Sequence, residues 1–78
     1  MRSFTDTDGC TWQAAVLDAS YGVAWLVFTP LQQGRLRRQR LAVENLAEAL
    51  ALLADLDEAG LRAQLADAEP WDPAGDPG

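Results

Sequence analysis

The chain has no histidine and no lysine, and its one cysteine is Cys10. Without histidine, the commonest general base and the commonest zinc ligand are both missing, and one thiol cannot close an intrachain disulfide. Histidine-dependent triads, Cys/His zinc sites and disulfide scaffolds are thereby excluded. Long apolar runs are also lacking. The longest ones, residues 22–28 and 49–54, fall far short of the roughly 20 residues that a membrane-spanning helix needs, so no membrane partner is expected. Met1-Arg2-Ser3-Phe4-Thr5-Asp6 meets acids before any apolar run, which is unlike a secretory leader and favours a cytoplasmic location.

What remains is a chain of 78 residues with 49% hydrophobic and 23% charged side chains. That length holds one small core, and those proportions are those of a folded chain. The formal charge of -6 is unevenly distributed: residues 1–43 carry +2 and residues 44–78 carry -8. Such an asymmetry can be satisfied within the fold, between copies, or by a basic partner. The exclusive use of arginine and the abundance of alanine and leucine read as GC-rich coding, with no bearing on function.

Phe4-Thr5-Asp6-Thr7-Asp8-Gly9-Cys10 places an Asp-Gly pair between β-formers, the signal of a tight hairpin of type I′. Thr11 to Ala19 is its second strand, and a turn through Asp18 to Gly22 leads to Val23-Ala24-Trp25-Leu26-Val27-Phe28-Thr29. This strand is apolar on both faces, with Val23, Trp25 and Val27 on one and Ala24, Leu26 and Phe28 on the other, so it is expected to be central. Pro30 to Gly34 forms a further loop, after which Arg35 to Val43 returns as a fourth strand or an irregular edge.

After Val43 the period becomes helical. Asn45-Leu46-Ala47-Glu48 has capping-box spacing, with Leu46, Ala49, Leu50 and Leu53 as the inward stripe. Asp57 caps a second helix, with Leu56 and Leu61 at staple positions and Leu61, Leu65 and Ala68 inward, ending before Pro70. The expected fold class is α+β: an antiparallel meander of three to four strands followed by two short helices packed on one sheet face. Residues 1–69 form the domain and residues 70–78 an acidic Pro/Gly-rich tail.

Several motifs invite chemistry and do not sustain it. Asp6-Thr7-Asp8-Gly9 has the alternating aspartates of a calcium loop, but its glycine comes too early and no glutamate follows at the required distance. Cys10 has only carboxylates as charged neighbours in sequence and no base to activate it, and Asp55, Asp57 and Glu58 are explained by helix capping. No catalytic residue, cofactor or metal is assigned. Arg35, Arg37, Arg38 and Arg40 form the one basic cluster. A chain of this net charge lacks the broad positive field that draws in nucleic acid, so the cluster is read as a charged edge or a rim for protein docking. The pattern of Phe4, Asp6, Gly9, Trp12, Gly22 and Pro70-Trp71 is similar to that of short bacterial proteins, a likeness that lends no function.

Two helices cover one face of a sheet whose central strand is apolar on both. The second face, with Val23, Trp25 and Val27, must therefore be covered by the tail through Trp71 or by another protein surface. The expected function is a small protein-interaction or regulatory module without catalytic activity, binding a protein partner or another copy through Val23, Trp25, Val27, Trp71 and the arginine rim. The alternative is an acidic decoy, whose helical carboxylates would imitate DNA phosphates toward a nucleic-acid-binding protein.

Overall fold

The computed structural model describes residues 2–18, 23–32 and 34–71. Its strands are β1 (Arg2–Thr5), β2 (Thr11–Asp18), β3 (Ala24–Pro30), β4 (Leu36–Leu41) and β5 (Glu69–Trp71), and its helices are α1 (Leu46–Asp55) and α2 (Glu58–Asp67). The sheet order is β1-β2-β3-β4-β5, antiparallel throughout. The α+β meander is thus as expected, with one more strand, because Glu69-Pro70-Trp71 pairs with Leu36 to Arg38. Pro70 lacks an N–H, and an edge strand is where a sheet tolerates it. The expected turn at residues 19–22 and the tail from Asp72 onward lie outside the described residues.

The first loop differs from the expected two-residue turn. Thr5 pairs with Thr11, Asp6 N donates to Cys10 O at 2.8 Å and Gly9 N to Asp6 O at 3.2 Å, so the loop proper is Thr7-Asp8-Gly9. Gly9 has φ +87°, the left-handed residue that closes a three-residue hairpin. A single positive φ is enough here because the extra residue supplies the twist that type I′ obtains from two.

Alternation along the strands places Phe4, Trp12, Ala14, Ala24, Leu26, Phe28 and Leu41 in one core with Ala49, Leu53, Leu61, Leu65 and Ala68 of the helical half. Phe28, Leu26 and Leu61 are the largest fully buried side chains, each contributing about 1.5–3 kcal/mol by burial. Phe4 meets Phe28 edge to face with centroids 5.9 Å apart. α1 packs on β2, and α2 touches β1 and β4, so both helices lie on the same side of the sheet.

Both helix starts are capped as their sequences predict. Asn45 Oδ1 accepts from Glu48 N at 2.8 Å, and Glu48 Oε2 accepts from Glu44 N at 3.0 Å. Asp57 Oδ1 accepts from Gly60 N at 2.7 Å. The inward stripe of α1 is a correction: Ala49 and Leu53 are buried with Leu52 and Leu56 packed beside them, whereas Leu46 and Leu50 are 40% and 51% exposed. Leucine and alanine occupy so much of this helix that spacing alone admits two stripes.

Candidate functional site

In a pleated sheet the residues not turned to the helices share the other face. Here that face carries Ser3 and Thr5 from β1, Thr11, Gln13, Ala15 and Leu17 from β2, Trp25, Val27 and Thr29 from β3, Leu36, Arg38 and Arg40 from β4, and Glu69 and Trp71 from β5, so its apolar part is one portion of a mixed surface. Val27 is directly opposite Arg38, Trp25 opposite Arg40, and Trp71 opposite Leu36. Arg38 is therefore diagonal to both tryptophans, and its guanidinium carbon lies 4.2 Å from the Trp25 ring centroid and 5.2 Å from that of Trp71. Its Nε also contacts Glu69 Oε1 at 3.3 Å. One arginine thus links both indoles and one carboxylate. Val23 precedes β3 and is half-buried, as are Trp25, Val27 and Trp71, while Leu17 remains 41% exposed.

The structure divides the arginine cluster. Arg38 and Arg40 belong to the face of Trp25, whereas Arg37 is paired with Phe28 and Pro70 and turns to the helical side. Adjacent residues of a strand cannot share a face, so a continuous rim of arginines does not form. Arg37 lies 5.9 Å from the Trp12 ring centroid. Arg35, in the loop before β4, is exposed and lines with Arg37, Trp12, Pro30 and Pro70 an open groove of ≈ 310 Å³ at the end of the sheet. A second groove, of ≈ 280 Å³, joins Trp25, Arg38 and Arg40 to Asp67 and Glu69 beside β4.

Asp6 is engaged within its own loop. Its Oδ1 accepts from Asp8 N and Cys10 N at 2.9 Å each, and its Oδ2 accepts from Trp12 Nε1 at 2.8 Å. The indole hydrogen bond, then those of the loop amides, hold the carboxyl below its ordinary value of 3.8, against an opposing effect of desolvation. These oxygens serve the hairpin, and among the described residues no cluster of three or more acidic or cysteine ligands converges on one point. Cys10 is exposed.

No described helix is long and apolar enough to cross a membrane. No protein-family model, no curated protein and no solved structure matches the chain.

Sequence reasoning placed Trp71 in the tail, folding back as one possible cover of the second face; the structure returns it there, and what was missed is that the return is a strand. The signal available was a β-forming aromatic after a proline, too short a pattern to announce a strand without its partner. The link through Arg38 had no local signal, because Glu69 is 31 residues away.

Proposed function

We propose that this chain is a small cytoplasmic protein-interaction module without catalytic activity, which binds through the sheet face opposite its helices. The observation that carries this is the Trp25, Arg38 and Trp71 stack on a face that neither helix covers. Tryptophan and arginine dominate the energetic centres of protein interfaces, because each presents a large rigid surface with a polar function at its edge. Ala15, Leu17, Val27 and Leu36 extend the apolar part. These side chains form an apolar patch bordered by Ser3, Thr5, Thr11, Gln13 and Thr29 on the same face, and such patches mark contact sites where they are large.

Arg38 and Arg40 are the charged residues of the proposed surface on β4, whereas Arg37 turns to the opposite side and Arg35 lies in the loop before β4. Arg40, exposed beside the stack, is the charge that steers encounter more than it strengthens the complex. Trp25→Glu tests the proposal by circular dichroism and thermal unfolding. A variant that keeps its circular dichroism and loses no more stability than the stack on Arg38 supplies, about 1–2 kcal/mol, is the outcome expected of a surface contact residue. Outright unfolding would make Trp25 an ordinary core residue and remove the proposal.

A further inference from the structure

We infer that the partner on this face is a second copy of the chain, docked sheet to sheet, and this rests on the interaction reading above. The charge layout favours it. Each copy carries -6, so two copies repel unless their acids are kept apart. Glu48, Asp55, Asp57 and Glu58 belong to the helices and their caps, and Glu44 lies just before α1, on the far side of the sheet; Asp67, at the end of α2, instead borders Arg38 and Arg40 at the edge of the docking face. Two sheets packed face to face are about 10 Å apart, and a helix layer adds roughly 10 Å on each side. The acidic layers of the two copies would then be about 30 Å apart, well beyond the screening length of about 8 Å at physiological salt. Docking through the helices would bring the same acids together.

The charges of the sheet face are themselves compatible with burial. Arg38 already has Glu69 Oε1 at 3.3 Å and the two indoles beside it, so covering it does not strand an unpaired cation. A two-fold axis parallel to the strands and centred on β3 places β3 on its own copy and β4 over β2, the pairing that an isologous contact demands. Arg40 of one copy then faces the Ala15 and Leu17 strand of the other, and not a second Arg40. Trp25 and Val27 meet their own counterparts at the centre.

The available area is at the lower limit of what a stable pair needs. Five strands at about 4.8 Å spacing, with a mean length near six residues at about 3.3 Å each, give a footprint on the order of 500 Å² per copy. The pair buries on the order of 1,000 Å², the lower bound for a specific interface. Such a dimer has a hydrophobic centre and like-charged subunits, so added salt should not dissolve it.

Sedimentation velocity on the full chain, at concentrations from low to high micromolar, tests this. The expected wild type is a dimer that persists from about 0.05 to about 0.5 M sodium chloride. Trp25→Glu and Leu17→Glu should each give a folded monomer, while Leu50→Glu on the outer face of α1 should leave the dimer intact. A wild type that stays monomeric throughout, with Trp25→Glu folded, overturns the second copy as occupant while leaving the binding face itself. Unfolding of both Trp25→Glu and Leu17→Glu overturns the binding face as well. A dimer broken by Leu50→Glu and retained by the two sheet variants places the contact on the helices and also overturns it.

Discussion

Asp6 Oδ2 accepts the indole N–H of Trp12 at 2.8 Å across the first hairpin, while Oδ1 of the same carboxylate holds Asp8 N and Cys10 N. The loop is thereby organised by one ionised group, and the indole that it orients is 8% exposed at the edge of the core. Asp6→Asn keeps one acceptor oxygen and replaces the other with a donor that faces the indole N–H. The expected result is a melting temperature lower by several degrees at neutral pH.

The same carboxylate gives the fold an acid limit. Its pKa in the folded chain lies below the ordinary 3.8, so its contribution is present above that value and is lost as pH falls through the folded pKa. Thermal unfolding followed from pH 6 downward should show the wild type losing more stability than Asp6→Asn below about 3.8. Parallel acid limbs in the two proteins would show that the loop carboxylate does not contribute.

Gly9 separates backbone strain from packing. Its φ is +87°, and a Cβ added there would meet nothing within 4 Å. A β-branched residue has no steric obstacle except its own backbone, and the left-handed region costs it about 1–2 kcal/mol. Gly9→Val should therefore lower stability by that amount in denaturant titration, whereas Gly9→Asn, which tolerates this region, should lose less. Equal losses would point to some property of glycine other than φ.

Arg2 reaches across the fold to finish α1. Its Nη1 donates to Leu53 O at 2.9 Å, to Leu56 O at 2.7 Å and to Ala54 O at 3.3 Å, and α1 has no basic residue in its own last turn. A cation at a helix C-terminus complements the dipole, and its hydrogen bonds use carbonyls that the helix leaves open. Arg2→Met should cost about 1–2 kcal/mol and increase amide exchange selectively at the end of α1. Uniform exchange across both helices would contradict a local capping role.

The parts of this fold legible in the sequence are those specified by neighbours in the chain. Asn45 and Asp57 announced their helices because a cap and its amide partner are three residues apart. Val23 to Thr29 announced the central strand through its two apolar faces. Arg2 over α1 is a contact across more than 50 residues, and β5 exists only because Leu36 to Arg38 provides a paired edge; neither leaves a local signature. The division of Arg37 from Arg38 was legible, since strand alternation forbids a shared face, but it required treating Arg35 to Val43 as a regular strand. The candidate surface was half visible in the same way. Trp25 and Val27 could be read from periodicity, while the arrival of Trp71 beside them depended on tertiary pairing.

The contact of Arg38 with its neighbours can be separated into charge and packing. Arg38 and Glu69 form an ion pair at 3.3 Å, in which the glutamate side chain is 59% exposed and the arginine 25%. A pair so open to water is worth little, at most about 1 kcal/mol and often nothing measurable. The stack on Trp25 and Trp71 is different, because the arginine stem covers ring surface that would otherwise meet solvent, and a guanidinium over an indole adds roughly 0.5–1 kcal/mol. Glu69→Gln should accordingly change stability by less than about 0.5 kcal/mol, while Arg38→Ala should cost about 1–2 kcal/mol and expose both indoles. Arg38→Lys keeps the charge and most of the stem but loses the flat group, so it should fall between them. Indole exposure, read by acrylamide quenching of fluorescence, should rise in the order Glu69→Gln, Arg38→Lys, Arg38→Ala. If Glu69→Gln proved as damaging as Arg38→Ala, the ion pair would hold the arginine in place, and the two tryptophans would be incidental to its position.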